Sequence, residues 1–351
     1  MAGAADKRDG LSRGRSTAAA VRGDGIAHGS FGELLQGALP GIDNNFLITL
    51  PIVRFSRACF QPSLDRRGLK VFPDTKWKAL RIARKTLDHF GSSLGGTLTL
   101  HSDLPEGKGM SSSSADLVAV IVAILQALDQ PISTELIMSL LRGIEPSDGV
   151  MYCDTVVFLH RKVQLYRRLG YLPPLRVVAI DEGGQVDTIA YNRRHRGFSA
   201  PEITEYERLL AQAIEAFERG DWKALGRIST RSAVLNQERN PKRYLDRMIE
   251  IGERFGALGV VATHSGPCLG LLFAPDEDGP AARLPEAVEA LRGLDLNVLQ
   301  METLSSTFMG AVREVWHLSP ETLDLGHGVR AVPADPAGSK ATLNRRQQYG
   351  S

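Results

Sequence analysis

Cysteine is scarce in this chain of 351 residues. Cys59, Cys153 and Cys268 stand far apart and form no CxxC pair, which argues against both a disulfide framework and a zinc site. A reducing, cytoplasmic setting is the expectation. Long apolar runs are missing too: the longest, Leu117 to Leu128, is about twelve residues and includes Gln126, short of the roughly 18–20 that a membrane helix needs. The opening MAGAADKRDGLSRGRSTAAAVRG has no apolar stretch of the signal-peptide kind. There is no GxxxxGK[ST] for a Walker-type loop, no GxGxxG between a strand and a helix, and no HExxH. Charge of one sign is lacking as well. The net charge is +2; residues 1–22 and 329–351 each carry +3, which leaves the interior at −4. The basic character belongs to two tails and is no footprint of nucleic-acid binding.

What is present suits a globular protein: 43% hydrophobic and 23% charged residues. The length favours two domains. Residues 1–22 read as a disordered basic arm, 23–172 as an N-terminal domain, 173–328 as a C-terminal domain, and 329–351 as a disordered tail. Strands are expected at 46–52 and 97–101, with a helix over 76–90 between them. The second half reads as a strand at 175–180, two or three helices over 201–254, strands at 258–263 and 269–273, a helix at 284–292 and a strand at 297–301. That order predicts an α+β fold with antiparallel pairing rather than a doubly wound sheet.

The most informative stretch is LPEGKGMSSSSADLVAVIVAILQAL, starting at Leu104. Glycines and four serines lie between a strand and a long helix. Ser111 to Ser114 fall at the helix N-terminus, where backbone N–H groups lack internal partners and the dipole favours negative charge. Glycine allows close approach and serine adds hydroxyl donors, so the segment suits a phosphate. A capped helix after a loop is the plainer alternative.

The string resembles the phosphate loop of the GHMP kinases, P-x-x-x-G-L-G-S-S-A, at Pro105, Gly109, Met110, Ser112, Ser113 and Ala115. Ser111 stands where the family usually has Gly, and Ser114 where it usually has Ala. HGSFGELLQG (28–37) is similar to the family's N-terminal motif, a strand leading into a turn at Gly29, Gly32 and Gly37, and THSGPCLGLLF (263–273) to its C-terminal glycine-rich motif. With GIEPSDG (143–149), AIDEGGQVDTIAYN (179–192) and RSAVLNQ (231–237), the set looks like one branch, the L-threonine kinases of adenosylcobalamin assembly.

The resemblance implies an N-terminal domain like domain 2 of ribosomal protein S5 and a ferredoxin-like C-terminal domain, with ATP and Mg²⁺ as cofactors. It implies a small-molecule substrate, L-threonine or a similar amino alcohol, with a homodimer possible and neither nucleic acid nor membrane as partner. Pro105, Gly107, Lys108, Gly109, Met110, Ser111, Ser112, Ser113 and Ser114 are the expected nucleotide-binding residues. Phosphoryl transfer needs charge neutralisation and a group to take the hydroxyl proton. Glu145 with Ser112 is therefore expected to hold the metal, and Asp148 to act as base or orienting carboxylate. Asp154, in CDTVVFL (153–159), is an alternative to Asp148 as the base. Where the branch has an F-D-H triplet, this chain reads Phe158-Leu159-His160.

Glu33, Asp187, Thr188, His264, Ser265 and Gly266 are candidates for the substrate side. Asp181, Asn236 and Gln237 are weaker ones. His28 and His264 have no carboxylate or cysteine at ligand spacing and read as structural. Arg193, Arg194 and Arg196 form a basic cluster, a solvated face or a steering patch. Rival readings are a kinase for homoserine, serine or ethanolamine, and a non-catalytic ATP-binding regulator on the same fold.

Overall fold

The computed structural model describes residues 21–41, 45–63, 68–184, 197–275 and 283–306. The chain opens with a long antiparallel pair, β1 (Gly23–Ala38) against β2 (Asn45–Ser63). The turn expected within HGSFGELLQG is instead strand. Register shifts at His28/Gly29, Ser30/Glu33 and Glu33/Leu35 absorb the glycines as bulges, and Gly32 takes φ +58°.

Glycine weakens a strand unless something must come close to its backbone. Here α2 (Ser112–Ala127) does so. A Cβ on Gly23 would lie 1.9 Å from the carbonyl oxygen of Ala123, and one on Gly25 would lie 2.0 Å from that of Ala119. α2 is apolar nearly all round and buried over most of its length, as a helix enclosed in a core must be.

β4 (Gly95–Ser102) pairs with β2 along its far half, and β3 (Leu69–Phe72) lies parallel to β4 at the edge. β5 (Thr155–Leu159) and β6 (Gln164–Gly170) form a hairpin that branches from β2. On its other side β1 meets β8 (Gly259–Ala262), followed by β9 (Cys268–Phe273), β7 (Arg176–Asp181) and β10 (Asn297–Glu302). The two halves thus share one sheet, joined where Glu33 pairs with Ala262.

α1 (Trp77–His89) and α3 (Thr134–Leu141) accompany α2 in the first half. α4 (Ala200–Arg219), α5 (Trp222–Asn236), α6 (Leu245–Phe255) and α7 (Leu284–Arg292) belong to the second. A separate apolar cluster there gathers Val178, Ile180, Met248, Ile251, Leu269, Leu271 and Leu291 between the sheet and α6 and α7.

The expected strands and helices of the body all have counterparts, and the described pairs are antiparallel save β3–β4. The sequence does not announce the β5–β6 hairpin: the apolar run after Asp154 draws notice to its acid, and QLYRRLG has too few apolar residues to mark a strand. Residues 1–20 and 307–351, which include nearly all of both expected tails, lie outside the described residues.

Candidate active site

The loop after β4 reaches α2 through three left-handed residues, Gly107 (φ 71°), Gly109 (φ 73°) and Ser111 (φ 56°). Ser111, standing where the family usually has Gly, adopts the backbone that Gly favours. It is also the N-cap of α2 and makes no side-chain capping bond, so the first N–H groups of the helix stay open to a ligand. They face a cleft of about 330 Å³ lined by most of this loop, by Glu145, Asp148 and His160, by Glu33 and Gln36 of β1, and by Ser265.

Two carboxylates stand opposite the loop. The Glu145 side chain is only 6% exposed; it accepts a hydrogen bond from Ser113 Oγ at 2.6 Å and pairs with the Lys78 ammonium. Asp148 is fixed through its backbone N–H, which donates to Ser114 Oγ at 3.2 Å. Ser114, the other departure from the family loop, therefore anchors the second acid. Burial, the negative charge of Glu33 and that of Glu145 push the Asp148 carboxyl up to about 7, against a hydrogen bond from Ser111 that favours the ionised form.

Glu33 is buried in β1 and held from below. Its Oε2 accepts from the His264 backbone N–H at 3.0 Å and from His264 Nδ1 at 2.9 Å, while His264 Nε2 meets Ser232 Oγ at 3.0 Å. The Gln36 N–H donates to the same Ser232 oxygen at 3.2 Å. This network assigns the His264 proton to Nδ1 and makes Ser232 the donor to Nε2. The carboxylate that His264 lacks in sequence is thus supplied in space by Glu33.

Three segments far apart in the chain touch here. Gly32 N–H donates to Gly109 O at 3.2 Å and Ser30 N–H to Met110 O at 3.3 Å, which ties β1 to the loop before α2. A Cβ on Gly109 would come within 2.6 Å of Thr263 Cβ, and one on Gly266 within 2.2 Å of Lys108 O. The turn at Ser265 is braced from behind. Asn240 Nδ2 donates to His264 O at 2.7 Å, and the buried Lys242 ammonium donates to Gly266 O. Burial pushes Lys242 down to about 8, opposed by the charges of Glu182 and Glu33.

Several expected residues lie elsewhere. Lys108 turns from the cleft to pair with Asp181 at 2.6 Å and to donate to Gly184 O at 2.7 Å. Asp154 is buried in a two-bonded pair with Arg168, both contacts 2.8 Å, and does not line the cleft. Pro105 and Gly266 shape the loop from outside the lining. Asn236 and Gln237 brace the backbone of His264 and Lys242. Asp187, Thr188, Arg193, Arg194 and Arg196 lie outside the described residues.

The cleft also holds groups that the sequence reading passed over. Lys76 bridges Glu106 and the buried Asp116, which in turn accepts from Ser56 Oγ. Burial lowers the Lys76 pKa, but the bonds to Asp116 and Glu106 outweigh it and leave it raised. Asp116 carries a signal as the one charge in an apolar helix, and His160 and Gln36 lie in strings already singled out, Phe158-Leu159-His160 and HGSFGELLQG; Lys78 carries none. Among the described residues no three His, Cys, Asp or Glu gather as a metal cage. The oxygen donors of Glu145 and Ser112 fit a hard cation that takes one or two protein ligands and completes its shell with phosphate and water.

Both halves of the chain match kinase domain families: GHMP kinases N terminal domain over residues 77–160 and GHMP kinases C terminal over 213–291. The chain belongs to the GHMP kinases, phosphotransferases of small molecules that use ATP, and has their two-domain fold. It is similar to an L-threonine kinase of Citrobacter freundii, 25% identical over 253 residues that cover 70% of this chain and 84% of the relative. An L-threonine kinase of Salmonella typhimurium is 24% identical over 270 residues, covering 72% and 85%. In fold it resembles a homoserine kinase from Cytophaga hutchinsonii, with a TM-score of 0.64 at 16% identity over 81% of this chain and 95% of that one. A mevalonate kinase of L. major in complex with R-mevalonate gives a TM-score of 0.60 at 15% identity, covering 82% and 96%.

Proposed function

We propose that this protein transfers the γ-phosphoryl group of ATP to the hydroxyl of L-threonine, giving ADP and O-phospho-L-threonine. One observation carries the reading: a single cleft in which the uncapped start of α2 faces both Glu145 and Asp148. The two L-threonine kinase relatives, each matched over more than two thirds of the chain, support the acceptor.

The loop from Gly109 to Ser114 receives the phosphates with backbone N–H groups and hydroxyls, which act as fixed dipoles where charge gathers. Glu145 and Ser112 are the residues that would hold Mg²⁺; its chemistry when bound is to neutralise the phosphate oxygens. Asp148 takes the proton of the attacking hydroxyl, and a carboxyl near pH 7 is well matched to that task. Glu33, fixed by His264, faces the acceptor. The rest is alignment of the two substrates in line.

The test is ADP release with Mg²⁺ across L-threonine, L-serine, L-homoserine, ethanolamine and 1-amino-2-propanol, with mass spectrometry of the product. O-phospho-L-threonine is expected well above the others. Strong turnover of another acceptor discards threonine and keeps the kinase; ATP binding without turnover of any acceptor discards the kinase.

A further inference from the structure

Two buried polar atoms of this cleft have no hydrogen-bond partner among the described residues: Gln36 Oε1 and His160 Nδ1. Native proteins leave few such atoms unpaired, so two in one cleft call for a ligand that pairs them. Strand register places them two strands apart in the same wall of the cleft. Gln36 of β1 lies opposite Leu47 of β2, Leu47 lies opposite Phe158 of β5, and His160 follows two residues later. Gln36, Leu47 and His160 all line the cleft, with Glu33 and Asp148.

The chemistry at this end is one-sided. The residues in the wall here, Gln36, His160, Glu33 and Asp148, offer a carboxamide oxygen, a ring nitrogen and two carboxyl groups, while the lining's two lysines are engaged elsewhere, Lys76 with Asp116 and Glu106 and Lys78 with Glu145. An ammonium group brings three donors and a positive charge, which suits such a set; a carboxylate brings neither. Burial, with the nearby charge of Arg161, pushes His160 down to about 4 against a hydrogen bond with the Asn45 backbone, so the ring is uncharged near neutrality and does not repel a cation.

We propose that Gln36 Oε1 and His160 Nδ1 seat the primary ammonium group of the acceptor, so that the cleft selects hydroxylated amines over hydroxy acids without nitrogen. This rests on the kinase reading above and deepens it.

The experiment measures kcat and KM for L-threonine and for its analogue with hydroxyl in place of the amine, 2,3-dihydroxybutyrate, together with KM for ATP. The proteins are wild type, Gln36→Met, His160→Phe and the conservative Gln36→Glu and His160→Asn. Wild type is expected to favour the amine at least 100-fold in kcat/KM. Gln36→Met and His160→Phe should each raise KM for threonine about tenfold or more and narrow that preference, with KM for ATP unchanged. Gln36→Glu and His160→Asn, which keep a polar partner, should recover most of it. Equal use of both acceptors by wild type, or an unchanged preference in both apolar variants, overturns the ammonium seat and leaves the kinase standing. A wild type that phosphorylates neither acceptor nor any of the wider panel overturns both.

Discussion

Asp148 sits where negative charge is unwelcome, partly buried and facing Glu33 and Glu145, with Lys78 already engaged by Glu145. Its pKa is raised in the fold from 3.8 to about 7, so ionising it costs stability that is present at low pH and is lost as pH rises through about 7. Catalysis has the opposite need, because a base must be ionised. The expected kcat/KM therefore falls as pH drops below about 7. Glu33→Gln, which removes a repelling charge and keeps an oxygen for His264, should move that limb down by about half a pH unit or more. Asp148→Asn should abolish turnover yet raise the thermal midpoint at pH 8 by about 2 °C or more; a lower midpoint would show that the ionised carboxylate is not strained. The serines, Glu145 and Asp148 are legible because each sits in a short local string, GMSSSS or IEPSDG. Gln36 and His160 lie in strings already singled out, HGSFGELLQG and Phe158-Leu159-His160, but it is strand register that brings them to the cleft; Lys78 comes in by helix packing, with no neighbour in sequence to mark it.

At the scale of the element, α2 decides the site. Its backbone lies against Gly23 and Gly25 at Ala123 and Ala119, and its first turn carries the serines that meet Glu145 and Asp148. Gly25→Ala puts a methyl 2.0 Å from Ala119 O. It is expected to destabilise the protein by about 3 kcal/mol, readable in denaturant unfolding, because two backbones cannot repack as side chains do. Ser114→Ala tests the other end of the helix. It removes the acceptor for the Asp148 N–H and should lower kcat about tenfold while KM for ATP holds. Alternation and apolar runs were enough to read β2, β4, β7, β8, β9 and β10. Gly29, Gly32 and Gly37 suggest a turn within β1 because they look like punctuation; their reason is close approach from far along the chain, Met110 O against Gly29, Ala262 O against Gly32 and the Tyr206 ring against Gly37.

Across the whole molecule, the two halves meet at the phosphate loop, and Lys108 bears on how. A lysine in a glycine-rich loop invites the reading of a phosphate ligand, and the sequence was read that way. In the structure its side chain is only 17% exposed and its ammonium pairs with Asp181, whose side chain is 13% exposed, at the end of β7 in the second half. A second bond to Gly184 O fixes it there. Lys108 therefore ties the loop to the C-terminal half, as Gly109 against Thr263 and Glu33 against His264 also do. A double-mutant cycle separates the two roles. If the pair is a tie, Lys108→Ala and Asp181→Ala should each lower stability, and the double variant should cost less than the two together, with a coupling of about 1–2 kcal/mol. ATP affinity should then fall to the same degree in both single variants, since either one loosens the same loop. A loss of ATP affinity confined to Lys108→Ala, with no coupling in stability, would return the lysine to the phosphates.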